Sequence, residues 1–310
     1  MTQATRFTAG LVSVAVGAAL ASLATRSLRN ATGAAPKDKH VAAARGFNHG
    51  STLLALSVLA DSAMEHYRGS FANPAMYTPL VVATGSLGAS LHGGADRSAA
   101  SHRVRHAIQI AAAATGTAGT AFHLYNVTKR PGGLSWHNLF YGAPAGAPFA
   151  LLLAGALGSI AETLRDEPAH DPRLFGMPAG KALALVAAAG LVGTAAEAAL
   201  LHFRGAWQHP AMVAPVTVAP VGAALLIHAA CAPRAHAKRA SGFARLWLRI
   251  TTALGFAGAG FHACGVGRAQ GGWRNWSQNL FAGPPLPAPP AFSALAVAGL
   301  AALRLRETER

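Results

Sequence analysis

The chain has 310 residues, of which 12% are charged and 52% are hydrophobic, and its mean hydropathy is positive. A soluble globular domain has about 25% charged residues, so this composition excludes an ordinary soluble domain and indicates the lipid bilayer. A formal net charge of +15 would indicate nucleic acid as the partner of a soluble protein. Here Lys and Arg lie between apolar stretches, where membrane topology accounts for them, and no nucleic acid is expected.

Apolar segments follow one another along the chain, each near the length that a helix needs to cross a hydrocarbon core of about 30 Å. Because they are rich in Ala, Gly and Val, we expect them to pack closely through small residues. The sequence therefore predicts an all-α, polytopic integral membrane protein with about nine transmembrane helices. The segments lie at about residues 8–25, 47–66, 75–93, 104–124, 145–163, 182–202, 211–230, 246–265 and 288–304.

Lys and Arg are distributed unequally between the two sides of this arrangement. The large majority fall on the side that holds residues 26–45 and the C-terminus, which the positive-inside rule makes cytoplasmic. The prediction is a bacterial inner (cytoplasmic) membrane protein with its N-terminus outside. The first segment also has the form of a cleaved signal peptide, with Arg6 before an apolar run. Cleavage would put the basic linker outside, so an uncleaved helix is preferred.

Two parts of the chain match each other. The stretch His66-Tyr-Arg-Gly-Ser-Phe-Ala-Asn-Pro-Ala-Met matches His202-Phe-Arg-Gly-Ala-Trp-Gln-His-Pro-Ala-Met, and Asn138-Leu-Phe-x-Gly-x-Pro matches Asn279-Leu-Phe-x-Gly-x-Pro. Each copy holds four apolar segments, an even number, so both copies enter the membrane in the same direction. The predicted organisation is an N-terminal helix with a basic cytoplasmic linker (1–45), a first four-helix repeat (46–165), a cytoplasmic linker (166–180) and a second, parallel four-helix repeat (181–310).

Three pairs of histidines are retained between the copies: His66 with His202, His123 with His262, and His92 with His228. The first two pairs end helices that run in one direction and are expected at the outer face, whereas the third is expected near the cytoplasmic face. Two imidazoles at matching depth on neighbouring helices are the arrangement that a bis-histidine b-type haem requires. Interfacial anchoring or helix packing explains the same histidines without a cofactor.

Residues around these histidines are compatible with a haem pocket and equally with interfacial anchoring and close helix packing. Arg68 and Arg204 follow the first histidine of each copy and supply cations for haem propionates. The position four residues before each histidine lies on the same helical face and holds a small residue, which leaves room for a porphyrin edge: Ser62, Gly88, Gly119, Ala198, Ala224 or Gly258. In architecture and histidine placement the chain resembles four-helix b-type cytochrome membrane subunits, which implies haem b and electron transfer.

Asp61 and Glu197 are the acidic residues that both copies keep within apolar helices, about one turn inside the outer face. An intramembrane carboxylate is by default a functional candidate. Here it is a candidate proton relay, quinol-binding group or ligand to a hard metal ion. The structural alternative is a carboxylate that pairs with Arg68 or Arg204 and holds helices together.

The sequence contains no P-loop, no HExxH and no nucleophile elbow, which favours a non-catalytic membrane subunit over a stand-alone enzyme. The preferred function is an integral membrane electron-transfer subunit that binds haem b. It would exchange electrons at the periplasmic face with a partner oxidoreductase or quinone. Two alternatives stay open: a transporter or channel that uses Asp61 and Glu197, and a non-catalytic membrane anchor or assembly protein.

Overall fold

The structure, a computed structural model, describes residues 39–142, 145–167 and 172–307, and it describes the backbone alone for residues 234–239. The described part is mostly helical, which confirms the predicted all-α class. The predicted first helix, at 8–25, and most of the basic linker lie outside the described residues.

Ten α-helices follow one another within these residues: α1 (Lys39–Arg68), α2 (Thr78–Ala95), α3 (Arg103–Thr128), α4 (Trp136–Tyr141), α5 (Gly146–Asp166), α6 (Ala179–Arg204), α7 (Ala214–Cys231), α8 (Arg234–Arg268), α9 (Trp276–Ala282) and α10 (Pro290–Arg306). Short 3₁₀ helices cover Pro74–Tyr77, Pro210–Val213 and Gly272–Asn275. The predicted linker at 166–180 contains an antiparallel hairpin, in which β1 (Arg173–Leu174) pairs with β2 (Met177–Pro178).

Three helices among the described residues are long and apolar enough to cross a membrane: Gly146–Asp166, Ala179–Arg204 and Pro210–Cys231. The other apolar segments predicted beyond residue 39 are also helical. However, α10 has only 17 residues, and α1, α3 and α8 carry several polar or charged side chains. Apolar helices suited to a membrane are therefore present in the described part of the chain, and the predicted number of nine is not confirmed there.

The long helices pack as two rings of four. In the first ring, α1 and α3 each pack against both α2 and α5, so that α1 and α3 occupy opposite corners. In the second ring, α6 and α8 occupy opposite corners between α7 and α10. The rings join where α1 packs along α10, and one continuous core of Ala and Leu side chains extends through both.

Large apolar side chains are exposed on the helices farthest from this core. Val81 is 71% exposed on α2, and Ile110 and Phe122 on α3 are more than half exposed. Ile227 on α7 and Phe261 on α8 are also exposed. A ring of small residues inside and large apolar residues outside fits a lipid environment.

Glycines allow α3 and α8 to approach their neighbours closely. A Cβ atom on Gly116 would collide with the backbone of Leu152 in α5, and one on Gly255 would collide with Ser293 in α10. By contrast, a Cβ on Gly88 in α2 would have nothing within 4 Å.

We expect Gly116→Ala to lower the free energy of unfolding by about 1–3 kcal/mol, because the added methyl group meets backbone that cannot move without separating two helices. Gly88→Ala is the matched control and should leave stability unchanged or slightly raised. Thermal unfolding of the detergent-purified variants measures both. Equal midpoints for the two variants would contradict the close approach of α3 to α5.

Candidate functional site

His66 and His202 lie near the ends of α1 and α6, and the imidazole of each forms a hydrogen bond with the loop that follows. Nδ1 of His66 lies 2.5 Å from the carbonyl oxygen of Met76, and Nδ1 of His202 lies 2.8 Å from that of Met212. A carbonyl oxygen only accepts hydrogen bonds, so Nδ1 carries the proton in both rings. The lone pair is therefore on Nε2, which has no hydrogen-bond partner among the described residues.

His262 on α8 has the same tautomer, since its Nδ1 donates to the carbonyl oxygen of Pro285 at 2.7 Å. It lies close enough to His202 for the charges of the two imidazoles to interact. The two residues come from α6 and α8, at opposite corners of the second ring. In the first ring, His66 on α1 and the half-buried His123 on α3 occupy the corresponding corners.

The loops after His66 and His202 are strained in the same way. Phe71 has φ 47° and Trp207 has φ 50°, a region that bulky side chains rarely adopt. The N–H groups of Phe71 and Trp207 donate to the carbonyl oxygens of His66 and His202 at 3.0 and 3.1 Å. Strain of about 1–3 kcal/mol per residue persists only where the surroundings enforce it, and it clusters at functional sites. Here the strained turns lead to Met76 and Met212, whose carbonyl oxygens accept hydrogen bonds from the two imidazoles.

The expectation that small residues leave room for a porphyrin is wrong at two positions. A Cβ on Gly119 would lie 3.0 Å from Pro148 Cβ, and one on Gly258 would lie 2.8 Å from Pro289 Cβ. These glycines face the neighbouring helix and allow it to approach closely. They explain helix packing and do not contribute to a pocket.

His92 and His228, which the sequence predicts near the cytoplasmic face, differ from the histidines predicted at the outer face. Nη1 of Arg105 donates to Nδ1 of His92 at 3.3 Å, and a guanidinium has no acceptor, so the proton of a neutral His92 is on Nε2. The exposed nitrogen then offers no lone pair to an iron. His228, the other member of this pair, is also exposed on the outside of its ring. The predicted haem ligands near the cytoplasmic face are therefore poor ones.

The two predicted intramembrane acids have different surroundings. An Oε1 atom of Glu197 accepts the N–H of Gly146 at 2.9 Å, so this carboxylate caps the N-terminus of α5. Asp61 is half-buried on α1 and lies within range of the negative charges of Glu197 and Glu65. Among the described residues, no hydrogen bond to the Asp61 carboxylate is present.

The two arginines predicted to bind propionates have protein contacts in the structure. Arg68 forms an ion pair with Glu65, and the Arg204 guanidinium lies 5.8 Å from the ring centre of Phe140. Arg68 is thus engaged by Glu65 and not by Asp61. Within the described part of the chain, no group of three or more His, Cys, Asp or Glu side chains is arranged to hold a metal ion. This gives no support to Asp61 and Glu197 as metal ligands.

Aromatic contacts join the two four-helix rings at the end that holds His66 and His202. The ring of Tyr67 stacks on that of Phe281 with centres 4.8 Å apart. Phe140 meets Phe203 edge to face at 5.7 Å. Each contact pairs the end of a histidine-bearing helix with a short helix of the other half, so both halves build one outer surface.

A buried ionic network at the opposite end of the first ring was not predicted. Nε and Nη2 of Arg105 bind the two carboxylate oxygens of Glu162, each at 2.9 Å. Nη1 of Arg105 binds Asp96 at 2.7 Å. Arg165 donates to the carbonyl oxygens of Gly93 and Ser98. Arg105 is 3% exposed and Glu162 is fully buried, so the charges neutralise one another away from solvent.

Asp96 lies just beyond α2, at the edge of this network. Burial opposes its ionisation, but the Ser98 N–H, the Arg105 guanidinium and the charge of Arg165 outweigh burial and hold the pKa of Asp96 below its usual range. Its stabilising contribution is therefore complete above the ordinary carboxyl pKa of about 3.9, and is lost as the pH falls through the lowered value.

Buried hydroxyl and amide groups continue inward from the network. Ser51 and Ser90 share a hydrogen bond of 2.7 Å, and the Gln109 amide joins Ser90 and Ser86 at 2.8 Å. In the second ring Ala244 and Leu303 stand in place of Arg105 and Glu162, whereas Arg306 matches Arg165 and donates to the carbonyl oxygens of Ala230 and Ala232. Searching for residues shared by the copies could not find this network. The sequence signal for this network is a set of polar residues, including Arg105 and Glu162, at positions where the second copy has apolar residues.

The described residues thus form an all-α protein with three helices apolar enough to cross a membrane and three histidines, His66, His202 and His262, whose tautomers are fixed by backbone carbonyl oxygens. Comparison with models of known protein families, with curated proteins and with solved structures found no match.

Proposed function

We propose that the protein is an integral membrane electron-transfer subunit that binds haem b at its outer face. The observation that carries this proposal is the state of His202 and His262. In both, Nδ1–H is fixed by a backbone carbonyl and the Nε2 lone pair has no partner among the described residues. Histidines that ligate metals usually donate their other ring N–H to such a group. A bis-histidine haem takes one imidazole from each side, as opposite corners of a four-helix ring allow.

His66 and His123 would hold a second haem in the first ring. Haem, when bound, supplies one-electron chemistry. The residues of the chain hold the iron, and the strained loops with Met76 and Met212 keep the imidazole tautomers suited to ligation. The exposed Arg68 and Arg204 lie one turn or less from the histidines and are the candidate partners of propionates.

The proposal includes the finer architecture: nine membrane spans, an N-terminal helix followed by two parallel four-helix repeats, and the N-terminus on the periplasmic side of the inner membrane. The repeated histidine-to-carbonyl hydrogen bonds and the reciprocal aromatic contacts support the two repeats. Electrons would then pass at the periplasmic face to or from a partner oxidoreductase or quinone.

Protein produced in haem-replete cells and purified in detergent should be red and show a Soret band. The pyridine haemochrome spectrum should identify haem b, and elemental analysis should find about two irons per chain. Protein without a Soret band and without iron would remove the proposal.

A further inference from the structure

The acids Asp61 and Glu197 occupy matching positions, yet only Glu197 has a backbone donor. Its partner, the N–H of Gly146, begins α5. The matching position before α10 is Pro287, which has no N–H group. Instead, the hydroxyl of Ser57 on α1 donates to the carbonyl oxygen of Pro287. The second ring has Gly193, which has no side chain, at the position of Ser57. The hydroxyl-to-carbonyl hydrogen bond therefore occurs only next to Asp61 and has no equivalent next to Glu197.

Asp61 is consequently a half-buried carboxylate for which the described residues provide no hydrogen-bond donor. Three charged groups face it. Glu65 and Arg68 come from its own helix, and Glu197 comes from α6. Arg68 is paired with Glu65, and Glu197 adds negative charge. A carboxylate in such surroundings is costly as a bare anion and favours a bound proton.

From this asymmetry we infer that Asp61 is a proton-binding site between the two halves at the outer face, and that Glu197 is a structural helix cap. Asp61 takes up and releases a proton, whereas Glu197 accepts the N–H of Gly146 and holds the N-terminus of α5. The inference does not depend on haem, because it rests on the donors available to two carboxylates.

Infrared titration of the full-length protein tests the inference, with Asp61→Asn and Glu197→Gln as a matched pair. The wild type should show the carbonyl-stretch band of a protonated carboxylic acid that disappears as the pH is raised. Asp61→Asn should lose this band, and Glu197→Gln should keep it. Glu197→Gln should instead lower the thermal midpoint by about 2–6 °C through the weakened cap, while Asp61→Asn should leave the midpoint within about 1 °C.

A band that survives in Asp61→Asn, a band lost in Glu197→Gln alone, or no band in the wild type would overturn the inference. So would a band that responds to sodium ion concentration at constant pH, because a metal cation would then be the occupant. Asp61→Ala replaces Asp61→Asn if the latter does not fold. The Soret absorbance of the same samples is recorded separately, so a protein without haem removes the electron-transfer proposal and leaves the infrared result to decide on Asp61.

Discussion

If the protein binds two haems as proposed, replacing His202 with Ala is expected to remove one of them, and with it about half of the Soret absorbance per chain. The reason is the loss of an axial ligand whose Nε2 has no other partner among the described residues and whose Nδ1 is fixed by Met212. His228→Ala is the matched control, because His228 is also repeated between the copies but is exposed on the outside of its ring. Absorption spectra and iron content of the purified variants measure the effect.

Equal Soret absorbance in wild type and His202→Ala would contradict ligation by His202. A second pair of variants, His66→Ala and Asp61→Asn, separates electron transfer from transport. A transporter built on the acids should tolerate His66→Ala better than Asp61→Asn, whereas a haem protein should show the reverse order.

Glu162→Leu is expected to lower the free energy of unfolding by about 3–5 kcal/mol, since it leaves the buried guanidinium of Arg105 without its bidentate partner. The second ring suggests the compensating change. Arg105→Ala combined with Glu162→Leu reproduces Ala244 and Leu303 and should recover most of the lost stability. Denaturant unfolding of the two single variants and the double variant forms a double-mutant cycle.

If the double variant were no more stable than Glu162→Leu, the network would not be a self-contained ion pair. Removing Arg105 and Glu162 together still leaves Arg165 and Asp96 to balance each other, and these two lie at the limit of ion-pair distance, 4.0 Å. The control for general effects of substitution in α5 is Leu164→Ala. It removes fully buried apolar surface without changing any charge. The decrease in the free energy of unfolding that it causes should therefore be the same with and without Arg105→Ala.

Helix positions could be predicted from the sequence because length and apolar composition determine them. Every apolar segment predicted between residues 47 and 304 lies in a helix. The short helix α4 was not predicted, since its start depends on one local contact, in which the Ser135 hydroxyl accepts the N–H of Asn138. The hairpin in the linker depends on positive φ at Phe175 and Gly176, which composition does not reveal.

The sequence predicts which residues belong to the candidate site, but it does not predict their hydrogen-bond partners or tautomers. Agreement between the copies selected His66 and His202, but their tautomers depend on which carbonyl the folded loop brings to Nδ1. The difference between Asp61 and Glu197 likewise lies in their neighbours, Pro287 and Gly146, far away in sequence. Contacts between distant residues decide protonation, and one sequence does not contain them.

The aromatic contacts at the outer face have one more consequence. In the sequence match, Tyr67 corresponds to Phe203 and Phe281 corresponds to Phe140. Exchanging the corresponding residues therefore turns the Tyr67–Phe281 contact into the Phe203–Phe140 contact. This reciprocity is the mark of an isologous interface, the kind that a two-fold symmetric homodimer makes. The chain has the form of such a dimer joined covalently. The reciprocity does not extend to the opposite end of the rings, since among the described residues only the first ring holds a buried arginine–glutamate pair.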